Sequence, residues 1–153
     1  MRFDKLTTKF QQAFSDAQSI AVGQDNPTIE PQHLLLALLQ QEDGSTLSLL
    51  QRSGVNTAAL LENLRQQVQR LPKVENSAGE VTISRSLNNL LNLSDKEAQK
   101  HNDQFIASEM FLLAVLQDKG EIGVLLKQYG ANYAALEKAI NTIRGGEQVS
   151  SAE

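Results

Sequence analysis

The chain has 153 residues, no cysteine and a formal charge of −4. That length allows one domain or two closely joined halves, with a core that needs neither disulfide nor metal. The 14 Lys and Arg are scattered, which excludes a nucleic-acid scaffold built on clustered cations, and the longest apolar run, Leu34 to Leu39, is too short for a bilayer span.

Met1-Arg2-Phe3-Asp4-Lys5 lacks the apolar stretch of a secretory signal, and the absence of cysteine fits a reducing compartment, so the expectation is a soluble, cytoplasmic protein. A first helix is predicted to start between Asp4 and Thr8, with Leu6, Phe10, Ala13, Phe14, Ala17 and Ala21 on its apolar face and Gly23 at its end. Asp25-Asn26-Pro27 is a turn, and a second helix opens at Glu30-Pro31, apolar on most sides and therefore central. A short third helix covers about 45–53, closed by Gly54 as a left-handed cap. Asn56 caps a fourth, which carries Leu60, Leu61, Leu64, Val68 and Leu71 and stops at Pro72. Residues 72–83 form a polar joint, with one brief strand-like stretch at Glu80–Ile83. Ser84 caps a fifth helix, with Leu87, Leu90, Leu91, Ser94 and Ala98 inward. Helices six to eight follow at about 108–118, 121–129 and 133–144. Gly145 to Glu153, rich in Gly, Ser and Glu, reads as a flexible linker from about residue 146.

The chain states its pattern twice. Ile29-Glu30-Pro31-Gln32-His33-Leu34-Leu35-Leu36-Ala37-Leu38-Leu39 returns 77 positions later as Ile106-Ala107-Ser108-Glu109-Met110-Phe111-Leu112-Leu113-Ala114-Val115-Leu116. Leu49 to Leu60, with Gly54 and Asn56, returns 76 positions later as Leu125 to Leu136, with Gly130 and Asn132. The fold class that follows is all-α: two four-helix repeats, about 1–71 and 84–145, related by a pseudo-twofold axis.

No catalytic arrangement is present. There is no phosphate-cradling glycine loop and no nucleophile elbow. His33 and His101 are far apart in sequence and have no Cys beside them, so packing or capping is expected of His33 and a helix-dipole role of His101. Neither metal nor cofactor is expected.

Differences between the copies carry the functional expectation. Leu93 stands where helix one has solvent-facing Asp16, Met110 replaces His33, and Asp103 and Glu109 replace the amides Asn26 and Gln32. The reading is an apolar groove along helix five and the start of helix six, rimmed by carboxylates and suited to weak capture of unfolded chains. Because the first half uses amides at the two acidic positions, Asp103→Asn and Glu109→Gln are expected to fold normally.

The segments MRFDKLTTKFQQAFSDAQSIAVGQDN, IEPQHLLLALL, LLNLSDKEAQKHNDQFIASEMFLLAVL and IRGGE resemble the N-terminal, double-repeat domain of the Clp chaperone family, in particular its protein disaggregases, over about residues 1–148. The resemblance implies a non-catalytic, monomeric domain tethered to two ATPase modules that form a homohexameric ring. It implies capture of unfolded or aggregated polypeptide in collaboration with a DnaK-type chaperone. It places Thr7, Asp103 and Glu109 among polar substrate positions and Leu93 and Met110 in an apolar groove, with Glu97 at a third groove position that is usually Leu. The adaptor-docking N-domain of a Clp protease ATPase is the competing expectation, and a stand-alone helical regulator the competitor from another class.

Overall fold

The computed structural model describes residues 2–75 and 80–153. Among them are eight α-helices: α1 (Thr8–Gly23), α2 (Pro31–Gln40), α3 (Thr46–Arg52), α4 (Thr57–Arg70), α5 (Arg85–Lys100), α6 (Ser108–Gln117), α7 (Glu121–Gln128) and α8 (Tyr133–Arg144). A 3-10 turn at Phe3–Lys5 precedes α1, and two dipeptide strands, β1 (Thr28–Ile29) and β2 (Thr82–Ile83), pair in parallel. The all-α class therefore holds, with the strand-like stretch before Ser84 realised as β2. Its partner β1, of the same length, is not among the expected elements.

The caps show how local chemistry starts each helix. Thr7 and Ser84 accept the N–H of Phe10 and Leu87, and Asn56 and Asn132 accept those of Ala59 and Ala135. Each satisfies one of the donors that a helix N-terminus leaves free. Gly54 (φ 96°) and Gly130 (φ 107°) end α3 and α7 in the left-handed region that glycine takes without penalty. They also meet: a Cβ on Gly130 would lie 3.0 Å from the Gly54 carbonyl oxygen, so the two copies approach each other closely at this point.

α2 and α6 form the centre. Every α2 residue from Pro31 to Leu39 is buried, and so is α6 from Ser108 to Leu116 apart from Glu109. α1 lies against α2 and α5 against α6, while α4 and α8 close the outer sides. The core is shared across the halves, with the Phe10 and Phe111 rings 6.1 Å apart. Each half also lends its first strand residue to the other. Ile83 pairs with Ile29, and Leu6 bridges Ile106 in the same parallel sense. Leu6, expected on the helical face of α1, lies just before that helix and is fully buried in this bridge.

Candidate functional site

The exchange between halves brings Thr7 to the loop that carries Asp103. The Thr7 N–H donates to the Ile106 carbonyl at 3.0 Å, and the Ile106 N–H to that of Lys5 at 2.8 Å. The Asp103 loop repeats the geometry of the Asn26 loop. Asp25 (φ 58°) and Asn102 (φ 59°) take the left-handed well open to short polar side chains, and the next residue donates its N–H to the Ala21 or Ala98 carbonyl.

Identical backbones then carry different chemistry. In the first half the Glu30 N–H donates to His33 Nδ1 at 2.8 Å, so the hydrogen sits on Nε2, which donates to Asn26 Oδ1 at 2.8 Å. The Asn26 amide in turn donates to the Pro72 carbonyl at 2.9 Å. This is a neutral relay, and burial holds the His33 pKa below its ordinary value against the opposing pull of Glu30. His33 is thus a capping and packing residue.

In the second half Arg144 replaces that relay. Its Nε and Nη2 donate to Glu109 Oε2 at 3.3 and 3.1 Å, and its Nη1 donates to Asp103 Oδ1 at 3.0 Å. The Asp103 carboxylate is wholly buried, and the Arg144 side chain is 11 % exposed. Asp103 Oδ1 also accepts the Val149 N–H at 3.0 Å, whereas Oδ2, although 3.0 Å from Nη1, has no aligned donor. Arg144 escaped the sequence reading. The available signal was register: it continues the inward stripe Leu136–Ile140 at the place where Leu60–Leu64 continues to Val68.

The expected groove along α5 and α6 is corrected. Met110 is fully buried, like His33, because its position faces the centre of the bundle, so it presents nothing to a ligand. Leu93 is half-buried and packs against the edge of the core. Glu97 is buried and accepts the Tyr133 hydroxyl at 2.7 Å, with Lys100 Nζ 3.7 Å away. Burial raises the Tyr133 pKa, and the bond to Glu97 adds to that, while the hydrogen bond to Tyr133 raises that of Lys100. His101 joins the same cluster, with Nδ1 2.8 Å from the Glu97 carbonyl and Nε2 3.1 Å from Glu137. The counterparts of Glu97 and Glu137 in the first half are Ile20 and Leu61, which pack on the core. Asp103 and Glu109 are likewise no free carboxylate rim, since Arg144 holds both. The first-half amides donate to the Pro72 carbonyl and to Gln67 and Glu121 rather than being held by an arginine fork, so they are no direct precedent for amides at 103 and 109.

Two features were not visible in the sequence. An apolar groove of about 400 Å³ lies between α1 and the strand pair, walled by Phe3, Phe14, Ile29, Val81 and Ile83. Phe3 is 41 % exposed and meets Phe14 edge-on with centroids 4.9 Å apart. The segment read as a linker is docked. The Gln104 N–H donates to the Val149 carbonyl at 2.7 Å, and the Thr8 N–H, left free at the start of α1, donates to that of Ala152 at 2.8 Å. Thr7, Asp103 and Glu109 are thus gathered around Arg144 and this tail, while Leu93 and Glu97 belong to the α5 face and Met110 to the interior. Among the described residues no group of three or more His, Cys, Asp or Glu could hold a metal, and no helix is long and apolar enough to cross a membrane.

The Clp repeat (R) N-terminal domain family matches residues 5–144. The chaperone protein ClpB of Pseudomonas putida is 48 % identical over 152 residues, which are 99 % of this chain and 18 % of that protein. The chain therefore spans about a fifth of the length of the curated relatives it matches. The Hsp104 N-terminal domain of Candida albicans superposes with a TM-score of 0.83 at 20 % identity, over 97 % of each chain. A ClpV N-domain in complex with a VipB peptide superposes with a TM-score of 0.73 at 18 % identity, over 94 % of this chain and 89 % of that one.

Proposed function

The chain belongs to the Clp repeat N-terminal domain family, and from that premise we propose that it is the substrate-recognition domain of an ATP-dependent protein disaggregase. The observation that carries the reading is the match of nearly this whole chain to ClpB chaperones, at 48 % and 46 % identity. The domain captures unfolded or aggregated polypeptide weakly and passes it to an ATPase ring, a homohexamer that works in the cytoplasm with a DnaK-type chaperone. The domain itself is monomeric and performs no chemistry.

The geometry supports two modes of contact. The Phe3–Phe14 groove takes apolar side chains, each contributing roughly 1.5–3 kcal/mol when fully buried. The N–H groups of Thr8, Gln104 and Phe105, with the Asp103 carboxylate, address an extended main chain whatever its side chains. A few such contacts offset an association cost of several kcal/mol, which places dissociation constants on the order of 0.1–1 mM. A peptide complex of a structurally similar ClpV N-domain is in keeping with peptide capture on this fold.

Titration of the isotope-labelled chain with casein, an unfolded apolar protein, tests the proposal. The expected result is saturable chemical-shift change at Phe3, Thr8, Gln104 and Phe105. Absence of change, or change spread evenly over the whole surface rather than concentrated at these residues, defeats it.

A further inference from the structure

We propose that residues 147–153 are a cis occupant of the client track, so that capture of an unfolded chain requires this tail to leave; the inference rests on the client-capture reading above. The tail lies along the track as an extended client would. Val149 offers both of its backbone groups: its N–H goes to Asp103 Oδ1 at 3.0 Å, and its carbonyl accepts the N–H of Gln104 at 2.7 Å and of Phe105 at 3.4 Å. Ala152 contributes only its carbonyl, to the Thr8 N–H at 2.8 Å. None of these bonds involves a tail side chain, so the track is indifferent to sequence. That is the property a receptor for varied unfolded segments needs.

The first half shows a more firmly fastened segment in the equivalent place. There the start of the joint runs past the Asn26 loop: the Asn26 amide donates to the Pro72 carbonyl, and the Val74 N–H donates to the Asp25 carbonyl at 2.8 Å. Lys73 adds a side-chain hold, with Nζ 3.1 Å from the Gln24 carbonyl and 3.0 Å from its Oε1. The joint is fastened again at β2, through its pairing with β1. The tail has neither the lysine anchor nor a strand pairing among its contacts, and Val149, its counterpart of Lys73, is apolar. The polarity is also reversed. An amide can donate to a carbonyl, whereas the Asp103 carboxylate only accepts and therefore selects main-chain N–H groups. Arg144 is a positioning residue here, holding the Asp103 side chain with Oδ1 aimed at Val149.

The test keeps the full chain and compares it with Val149→Pro, which removes the donated N–H without touching the helical body. In the variant the amide resonances of Thr8, Gln104 and Phe105 move as the tail leaves, and casein binds about fivefold more tightly, because a receptor whose competent state is fractionally populated loses affinity by that fraction. A synthetic peptide of residues 146–153 added to the variant drives those resonances back and weakens casein binding. Unmoved resonances in Val149→Pro, or unchanged casein affinity after they move, overturn the inference. If casein binds neither form, the client-capture reading fails and the competition with it. Equal binding to both forms sinks only the competition.

Discussion

The two halves share a backbone down to the left-handed residue after the first helix of each, yet they resolve the same buried position in opposite ways. Where α4 continues its inward stripe with Val68, α8 continues with Arg144. In the first half the polar groups form a neutral relay from the Glu30 N–H through His33 and Asn26 to the Pro72 carbonyl. Around Arg144 they form a charged fork to Asp103 and Glu109. A second exchange follows the same rule, with Ile20 and Leu61 in one half matched by Glu97 and Glu137 in the other. The packing frame tolerates either chemistry provided that each buried polar group finds a partner. In the charged version a buried acidic oxygen, Asp103 Oδ1, accepts a main-chain N–H, that of Val149.

The comparison breaks most severely if one partner of the fork is removed. Arg144→Ala leaves the Asp103 carboxylate buried and uncompensated and is expected to cost about 3–5 kcal/mol in urea unfolding. Copying the first half at two of the fork positions, with Asp103→Asn and Arg144→Val together, should restore at least half of that loss. Simple additivity of the two single changes would show that the fork is not a unit.

The converse transplant, His33→Met, puts the second-half residue into the first. The Glu30 N–H and the Asn26 carbonyl oxygen then lose their partner, and a loss of about 1–3 kcal/mol is expected from the same denaturation experiment.

A pH series sharpens the contrast. His33 is held neutral in the folded state, with its pKa below the unfolded value of 6.5. Between the two values the unfolded chain binds the extra proton, so this contribution to stability is complete above the unfolded pKa and is lost as pH falls through that window. The pH dependence of unfolding across that range should be reduced in His33→Met, and an identical slope in both proteins would remove His33 from the account.

The smallest change is expected at the α5–α8 cluster. Glu97→Ile imports the first-half residue and exchanges a buried carboxylate, hydrogen-bonded to Tyr133 and paired with a largely exposed Lys100, for packing, so a change of less than about 1 kcal/mol is expected in thermal unfolding. A large loss would mean that the second half depends on its polar cluster in a way the first half does not.

The helices, most of their caps and the doubling were legible because each is written in local chemistry: apolar residues at helical spacing, Ser and Asn before the first turn, and Gly54 and Gly130 where the chain must turn left-handed. The burial of α2 followed from a run apolar on most sides. The site was legible only as a set of odd residues. That Thr7, Asp103 and Glu109 converge depends on Leu6 bridging Ile106 across 100 positions, a contact that no short window contains. That Met110 is interior, that Arg144 ties the acids and that Val149 addresses Asp103 depends on which faces meet after packing. Composition and spacing report what a residue prefers. Which partner satisfies a buried charge is settled only when distant segments are brought within a few ångströms of each other.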